Sequence, residues 1–165
     1  MELHGPLHLR HIGDKKYYFR LRQDGKEVFL QTVRFYSNGP FHSFGKASLF
    51  IPQESGVVDV IEKLENFCKE QVTCPTDAPS HWNIQQAWKE CSGLFAKLSD
   101  NFRAFDREKK PIPTESLGRG YYTLRLSIPG VYLGESGSGA MACLQVKVCQ
   151  TIFEPVEECN ECLID

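Results

Sequence analysis

Eight consecutive residues, Tyr121–Ile128 (YYTLRLSI), constrain this chain more than any other stretch. Tyr122, Leu124, Leu126 and Ile128 alternate with Tyr121, Thr123, Arg125 and Ser127. That period of two fits a strand buried on one face and does not fit the 3.6-residue period of a helix. The run therefore requires a sheet with one oily side, and the other side of this strand presents an aromatic and a cation to solvent.

Other segments supply partners for it. In KYYFRLR, Tyr17, Phe19 and Leu21 share one face, while Lys16, Tyr18, Arg20 and Arg22 share the other. The Asp24-Gly25 dipeptide behind this run predicts a tight hairpin that returns EVFLQTVRFY antiparallel to it. In the returning strand both parities carry apolar residues, so pattern does not decide which faces the core. Phe29, Val33, Leu49 and Ile51 are read as core, and Arg34 and Tyr36 as a ligand face. Ser37-Asn38-Gly39-Pro40 is turn chemistry leading through Phe41 into a third strand, KASLFI.

After Ser55, apolar residues from Val57 to Cys68 recur at spacings of three and four, which predicts an amphipathic helix to about Lys69. Ile84, Trp88, Cys91, Phe95 and Leu98 suggest a second helix ending near Ser99. The segment from 100 to 120 concentrates Arg103, Arg107, Lys109 and Lys110 without a period and is read as a basic surface loop or lid. Beyond Tyr121–Ile128, VYL resumes after Pro129-Gly130, and CLQVKVCQTIF closes the series. The fold class expected is mainly β with inserted helices: a five-stranded OB-like barrel carrying a helical insertion after the third strand. A generic α+β sandwich would give a similar order of elements. The expected domain is 1–153, with the insertion at about 55–99 and an acidic tail at 154–165.

Charge and cysteine usage narrow the function. The last twelve residues hold five acids and no Lys or Arg, so a net charge of −2 conceals a body of +3. Such asymmetry accompanies nucleic-acid handling, although an acidic end can also be merely solvated. Seven scattered cysteines indicate reduced thiols. The C-terminal pair Cys159 and Cys162 would supply half of a zinc site at most. No run reaches the roughly 18–20 apolar residues of a membrane span, and no signal-peptide pattern opens the chain. The expected placement is intracellular, in the nucleus or at a viral replication site if the source is eukaryotic. A nucleophile elbow, a phosphate loop and a His-Glu-x-x-His run are all missing. No enzymatic activity, cofactor, metal or membrane partner is expected.

Aromatic-plus-cation pairs on separate outward strand faces are the pattern with chemical content. Tyr18 accompanies Arg20, Tyr121 accompanies Arg125, and Tyr132 is placed near Lys147. Cations can track phosphates while aromatic planes stack on bases. Tyr and Arg are also ordinary exposed strand residues, and the same residue types dominate protein interfaces.

The run VFLQTVRFYSNGPFHSFGKASLFI, with the ending LQVKVCQTIFEPVEECNECLID, resembles single-stranded DNA-binding proteins of large DNA viruses and Polinton-type elements, related in fold to the phage T7 type. The resemblance spans roughly Leu9 to the terminus. It departs from the family at the end, which is Leu163-Ile164-Asp165 rather than an aromatic, and in a longer helical insertion. It implies an OB barrel holding single-stranded DNA in replication, recombination or repair, with an acidic tail competing for the groove. Arg20, Arg22, Arg34, Lys46, Arg125 and Lys147 are the expected phosphate contacts. Tyr18, Tyr36, Phe41, Tyr121 and Tyr132 are the expected stacking residues. Replication proteins reached through the tail and a second copy of the chain are further partners. The alternatives are a protein-interaction scaffold using the same aromatic surface and a zinc-stabilised adaptor.

Overall fold

The alternating octapeptide lies in the middle of a large sheet. The computed structural model describes residues 6–11, 18–43, 45–71, 93–136, 139–156 and 164. Strand β9 (Gly120–Ile128) is paired on one side with β12 (Lys147–Pro155) and on the other with β3 (Lys26–Gln31) and β4 (Phe35–Ser37), all antiparallel. Tyr122, Leu124, Leu126 and Ile128 are fully buried, as the alternation predicts. Burying each such aliphatic side chain contributes about 1.5–3 kcal/mol, so β9 anchors the core.

Around it are β1 (Leu7–His11), β2 (Tyr18–Gln23), β5 (Phe41–Ser43), β6 (Lys46–Pro52), β7 (Gly93–Phe105), β8 (Pro111–Ile112), β10 (Gly130–Ser136) and β11 (Gly139–Leu144). The path runs β11-β10-β2-β3-β9-β12-β7-β6-β5, with β1 on β2, β4 on β9 and β8 on β7. β7 and β12 are parallel and every other pair is antiparallel. The ends of the path, β11 and β5, do not pair. The expected five-stranded barrel is thus replaced by an open sheet of twelve described strands. Among the described residues one α-helix, α1 (Val58–Gln71), follows β6 and buries Val58, Ile61, Leu64 and Cys68 in the same core.

Two differences from expectation have clear causes. The second helix cannot extend to Ser99, because residues 93–105 form β7; the part from Ile84 to Cys91 lies outside the described residues. In β7, Leu94 and Ala96 are buried while Phe95 and Lys97 are exposed. Phe95 and Leu98 happen to complete a helical spacing with residues upstream. The basic segment from 100 to 120 is not a free loop. It continues β7 and then turns at Asp106, whose carboxylate accepts from the N–H groups of Glu108 and Lys110, both at 2.9 Å. It returns as β8 against β7. β12 itself runs through Glu154 and Pro155.

The Asp24-Gly25 hairpin forms as predicted, with φ of 51° and 75° at the two turn residues and Gln23 opposite Lys26. Positive φ at both positions is the signature of the turn that matches strand twist.

The undecided parity of the returning strand is explained by a β-bulge. Gln31 pairs with Arg125 and Phe35 with Tyr122, so four steps on one strand face three on the other. A one-residue slip exchanges the faces of everything beyond it. Val28, Leu30 and Thr32 point inward before the slip and Phe35 after it. Phe29 and Tyr36, of opposite parity, both end up outside at 41% and 45% exposure. Thr32 holds the slip in place. Its N–H donates to the Leu124 carbonyl and its hydroxyl accepts from the Leu124 N–H, each at 2.9 Å. Phe29 and Val33, expected in the core, are therefore surface residues, whereas Leu49 and Ile51 are fully buried.

Thr32→Val keeps the shape but strands the Leu124 N–H. It should lower stability by about 1–3 kcal/mol, seen as a reduced urea midpoint at unchanged slope; an unaltered midpoint would show that the hydroxyl is dispensable.

Candidate nucleic-acid interface

Residues paired across neighbouring strands share a face, so the registers define the outer surface. Phe29, Ser127, Lys147, Lys97, Ser48 and Phe41 are opposed in turn across β3, β9, β12, β7, β6 and β5, forming one row. Beside it runs Gln31, Arg125, Gln150 and Arg103. Thr123, Ile152 and Phe105 follow, then Tyr36, Tyr121 and Glu154. At about 4.8 Å between strands and 3.3 Å per residue, these rows cover roughly 24 by 20 Å. The core lies beneath and solvent above.

Aromatics and cations meet at several points on this face. The Arg34 guanidinium sits 3.8 Å from the centre of the Tyr121 ring, and Tyr121 contacts Tyr36 edge-on at 5.8 Å. Arg125 lies 4.3 Å above the Phe29 ring. At the far end of the face, Phe95 packs edge-on against Phe41 at 5.1 Å and in a tilted arrangement against Phe50 at 5.0 Å. Stacking of a guanidinium on a ring fixes its position while leaving its N–H edges free to donate. Three clefts share walls across the surface. Gln31, Phe105, Thr123, Arg125 and Gln150 line the first; Phe29, Asp100, Arg125, Lys147 and Gln150 line the second; Lys46, Lys97, Asp100 and Lys147 line the third. Together they form one groove.

Acidic groups are also present. Glu154 accepts from Arg34 Nε at 2.6 Å and lies 3.7 Å from Arg107 Nε. Glu27 accepts from the Ser127 hydroxyl at 2.6 Å. Arg34 is thus ion-paired, yet its side chain remains 54% exposed.

The proposed residues fall into two groups. Arg34, Tyr36, Phe41, Lys46, Tyr121, Arg125 and Lys147 lie on the surface just described. Tyr18, Arg20, Arg22 and Tyr132 lie on the smaller wing built from β1, β2, β10 and β11, where Tyr132 pairs with Tyr18 and not with Lys147. Burial pushes the Tyr18 phenol up, with Arg20 opposing, Glu27 adding and Arg22 opposing again, so these groups form one electrostatic neighbourhood. Arg22 pairs with Glu27, two residues before Phe29, and this pairing links the two surfaces. Sequence reasoning did not place Phe29, Phe95 or Lys97 on this surface, and it set Arg103 and Arg107 apart in a basic loop or lid. The alternation of Leu94 and Ala96 with Phe95 and Lys97 was the available signal for two of them.

Other chemistry finds little support on this face. Burial pushes the Cys149 thiol up, with a Ser127 hydrogen bond opposing, and burial beside Glu65 pushes Cys68 up to about 12. Both thiols are therefore protonated at neutral pH and are poor nucleophiles. Among the described residues no group of three or more His, Cys, Asp and Glu side chains could hold a metal ion, and no helix is long and apolar enough to cross a membrane. Cys159 and Cys162 lie outside the described residues.

No family model matches the chain, and no curated protein matches it. Among solved structures, the single-stranded DNA-binding protein from bacteriophage Enc34 in complex with ssDNA is similar over 93% of this chain and 98% of that one, at 11% identity and a TM-score of 0.47. Another structure of the Enc34 protein is similar over 96% of each chain, at 13% identity and 0.42. A C-terminal truncation of it is similar over 92% of this chain and 96% of that one, at 10% identity and 0.45.

The exposure of Phe29 can be checked by paired truncations. Phe29→Ala should change stability by less than about 1 kcal/mol, whereas Leu30→Ala, one position away and buried, should cost about 2–5 kcal/mol. Comparable losses in a urea melt would contradict the assigned faces.

Proposed function

We infer that this chain binds single-stranded DNA along the outer face of its sheet, with little dependence on sequence at most positions. The observation that carries this reading is the cross-strand continuity of aromatics and cations, from Tyr36, Tyr121 and Arg34 through Phe29 and Arg125 to Lys147, Lys97, Lys46 and Phe41. A strand of nucleic acid presents phosphates and base planes in alternation, and a groove of this kind can engage both. Stacking contributes about 1–3 kcal/mol per base. Arg34, Lys46 and Lys147 take phosphates, and Arg125 stands between them on the Phe29 ring; Tyr36, Phe41 and Tyr121 take bases. Tyr18, Arg20, Arg22 and Tyr132 extend the path onto the wing. The role is handling of exposed strands in replication, recombination or repair, of the type found in large DNA viruses and Polinton-type elements.

Titration of a labelled oligo-dT at two salt concentrations tests this reading. Saturable binding that weakens steeply with salt is expected, with a slope set by the number of phosphates neutralised. Absence of saturable binding at low salt would refute it. The cluster of exposed Phe41 and Phe95 with half-buried Phe50 favours a second reading, a protein-docking surface. Retention of oligo-dT affinity in Phe95→Ala would assign that cluster to such a partner.

Glu154 and the acids beyond it act as competitors for the cations. Glu154→Gln removes the carboxylate held by Arg34 and Arg107. Exposed ion pairs are worth about 0.2–1 kcal/mol, so oligo-dT affinity should rise by up to about fivefold at low salt. Deleting residues 157–165 should tighten binding independently. Unchanged affinity in both variants would remove internal competition from the account.

A further inference from the structure

The first cleft has a composition unlike the rest of the groove. Gln31, Arg125 and Gln150 stand directly opposite one another across β3, β9 and β12, so two amides flank one guanidinium in a single row. Arg125 rests on Phe29 and, unlike Arg34, forms no ion pair among the described residues. Neither amide side chain makes a hydrogen bond to another described residue. The cleft's remaining walls, Phe105, Ile152 and Thr123, are apolar or small. A cation held by a ring, two uncommitted amides and an apolar floor form a site for the edge of a planar heterocycle rather than for a phosphate alone.

Resting on the single-stranded DNA reading above, we propose that Gln31, Arg125 and Gln150 read the edge of one base and favour guanine at that position. Guanine presents two acceptors, O6 and N7, to a guanidinium, which is the commonest specific side-chain contact to a base. Its N1–H and N2 amino group offer donors that a flanking amide oxygen can accept. Adenine presents an amino donor where guanine has O6, and this opposes Arg125. Thymine offers carbonyl acceptors but no adjacent N7, and its smaller ring covers less of Phe105. Elsewhere in the groove, ammonium groups and ring faces do not distinguish bases, Arg34 and Arg107 face Glu154, and Arg103 has an amide, Gln150, on one side only, so the preference is confined to one nucleotide of the bound stretch.

The test uses the full chain and three labelled oligonucleotides at one salt concentration: dT15, the same strand with a single central dG, and the same strand with a single central dA. A bidentate contact discriminates by roughly tenfold, so the dG strand should bind about tenfold tighter than the dA strand. Replacing that dG with 7-deazaguanine, which lacks the N7 acceptor, should remove most of the gain. In Gln31→Ala/Gln150→Ala and in Arg125→Lys the dG to dA affinity ratio should collapse toward one. A ratio near one in the unaltered protein, with both strands bound, overturns base reading and leaves single-strand binding standing. Failure to bind any of the three overturns both.

Discussion

The reciprocal hydrogen bonds between Thr32 and Leu124 are the constraint on which the surface chemistry depends. They stabilise an extra residue at the point where β3 gives way to β4, and without that slip Phe29 and Tyr36 could not both face solvent. A regular strand would have to bury one of them and would expel Val28 and Leu30, or else Phe35, from the core. The bulge lets one segment serve the core along its whole length while changing which parity does so. A single buried hydroxyl thus connects the packing of β9 to the layout of the groove.

The electrostatics of the groove follow from the same arrangement. Lys46, Lys97, Arg103, Arg125 and Lys147 come from strands β6, β7, β9 and β12, so their separations are fixed by the sheet and not by flexible loops. Arg34 and Arg125 are further restrained by the rings beneath them, which reduces the side-chain entropy lost when a ligand binds. The acids occupy defined places. Glu154 balances Arg34 at one end, Glu27 is tied to Ser127 near the junction with the wing, and Asp100 lines the clefts that hold Lys97 and Lys147.

Much of the sheet was legible in the sequence, and the unreadable parts share a cause. Tyr121–Ile128 keeps its aliphatic side chains on one face, so its period was clear, and Asp24-Gly25 announced its turn because few other dipeptides accept two positive φ values. Gln31 to Phe35 was undecidable because a bulge leaves no mark in an apolar pattern except doubled parity. Residues 93–105 were misread because strand alternation and helical spacing both admit Phe95 and Leu98 when Leu94 and Ala96 stand between. The candidate cations and tyrosines were identifiable singly, since charge and aromaticity are visible in the chain. Their grouping was not, because it depends on register. Tyr132 pairs with Tyr18, and Lys97 with Lys147, through strands far apart in sequence.

The position of β12 has a consequence for how the molecule is made. It follows every other described strand in the chain, yet it lies inside the sheet between β9 and β7. Until residues 147–155 are available, β9 and β7 each present an unpaired edge, and neither can dock on the other. Pairings this distant in sequence form slowly, on the millisecond-to-second scale for comparable topologies. During synthesis the nascent chain therefore passes through an interval in which β9, with four fully buried side chains, is half-paired and open to wrong partners. The groove, whose rows all cross β12, exists only once that strand is in place.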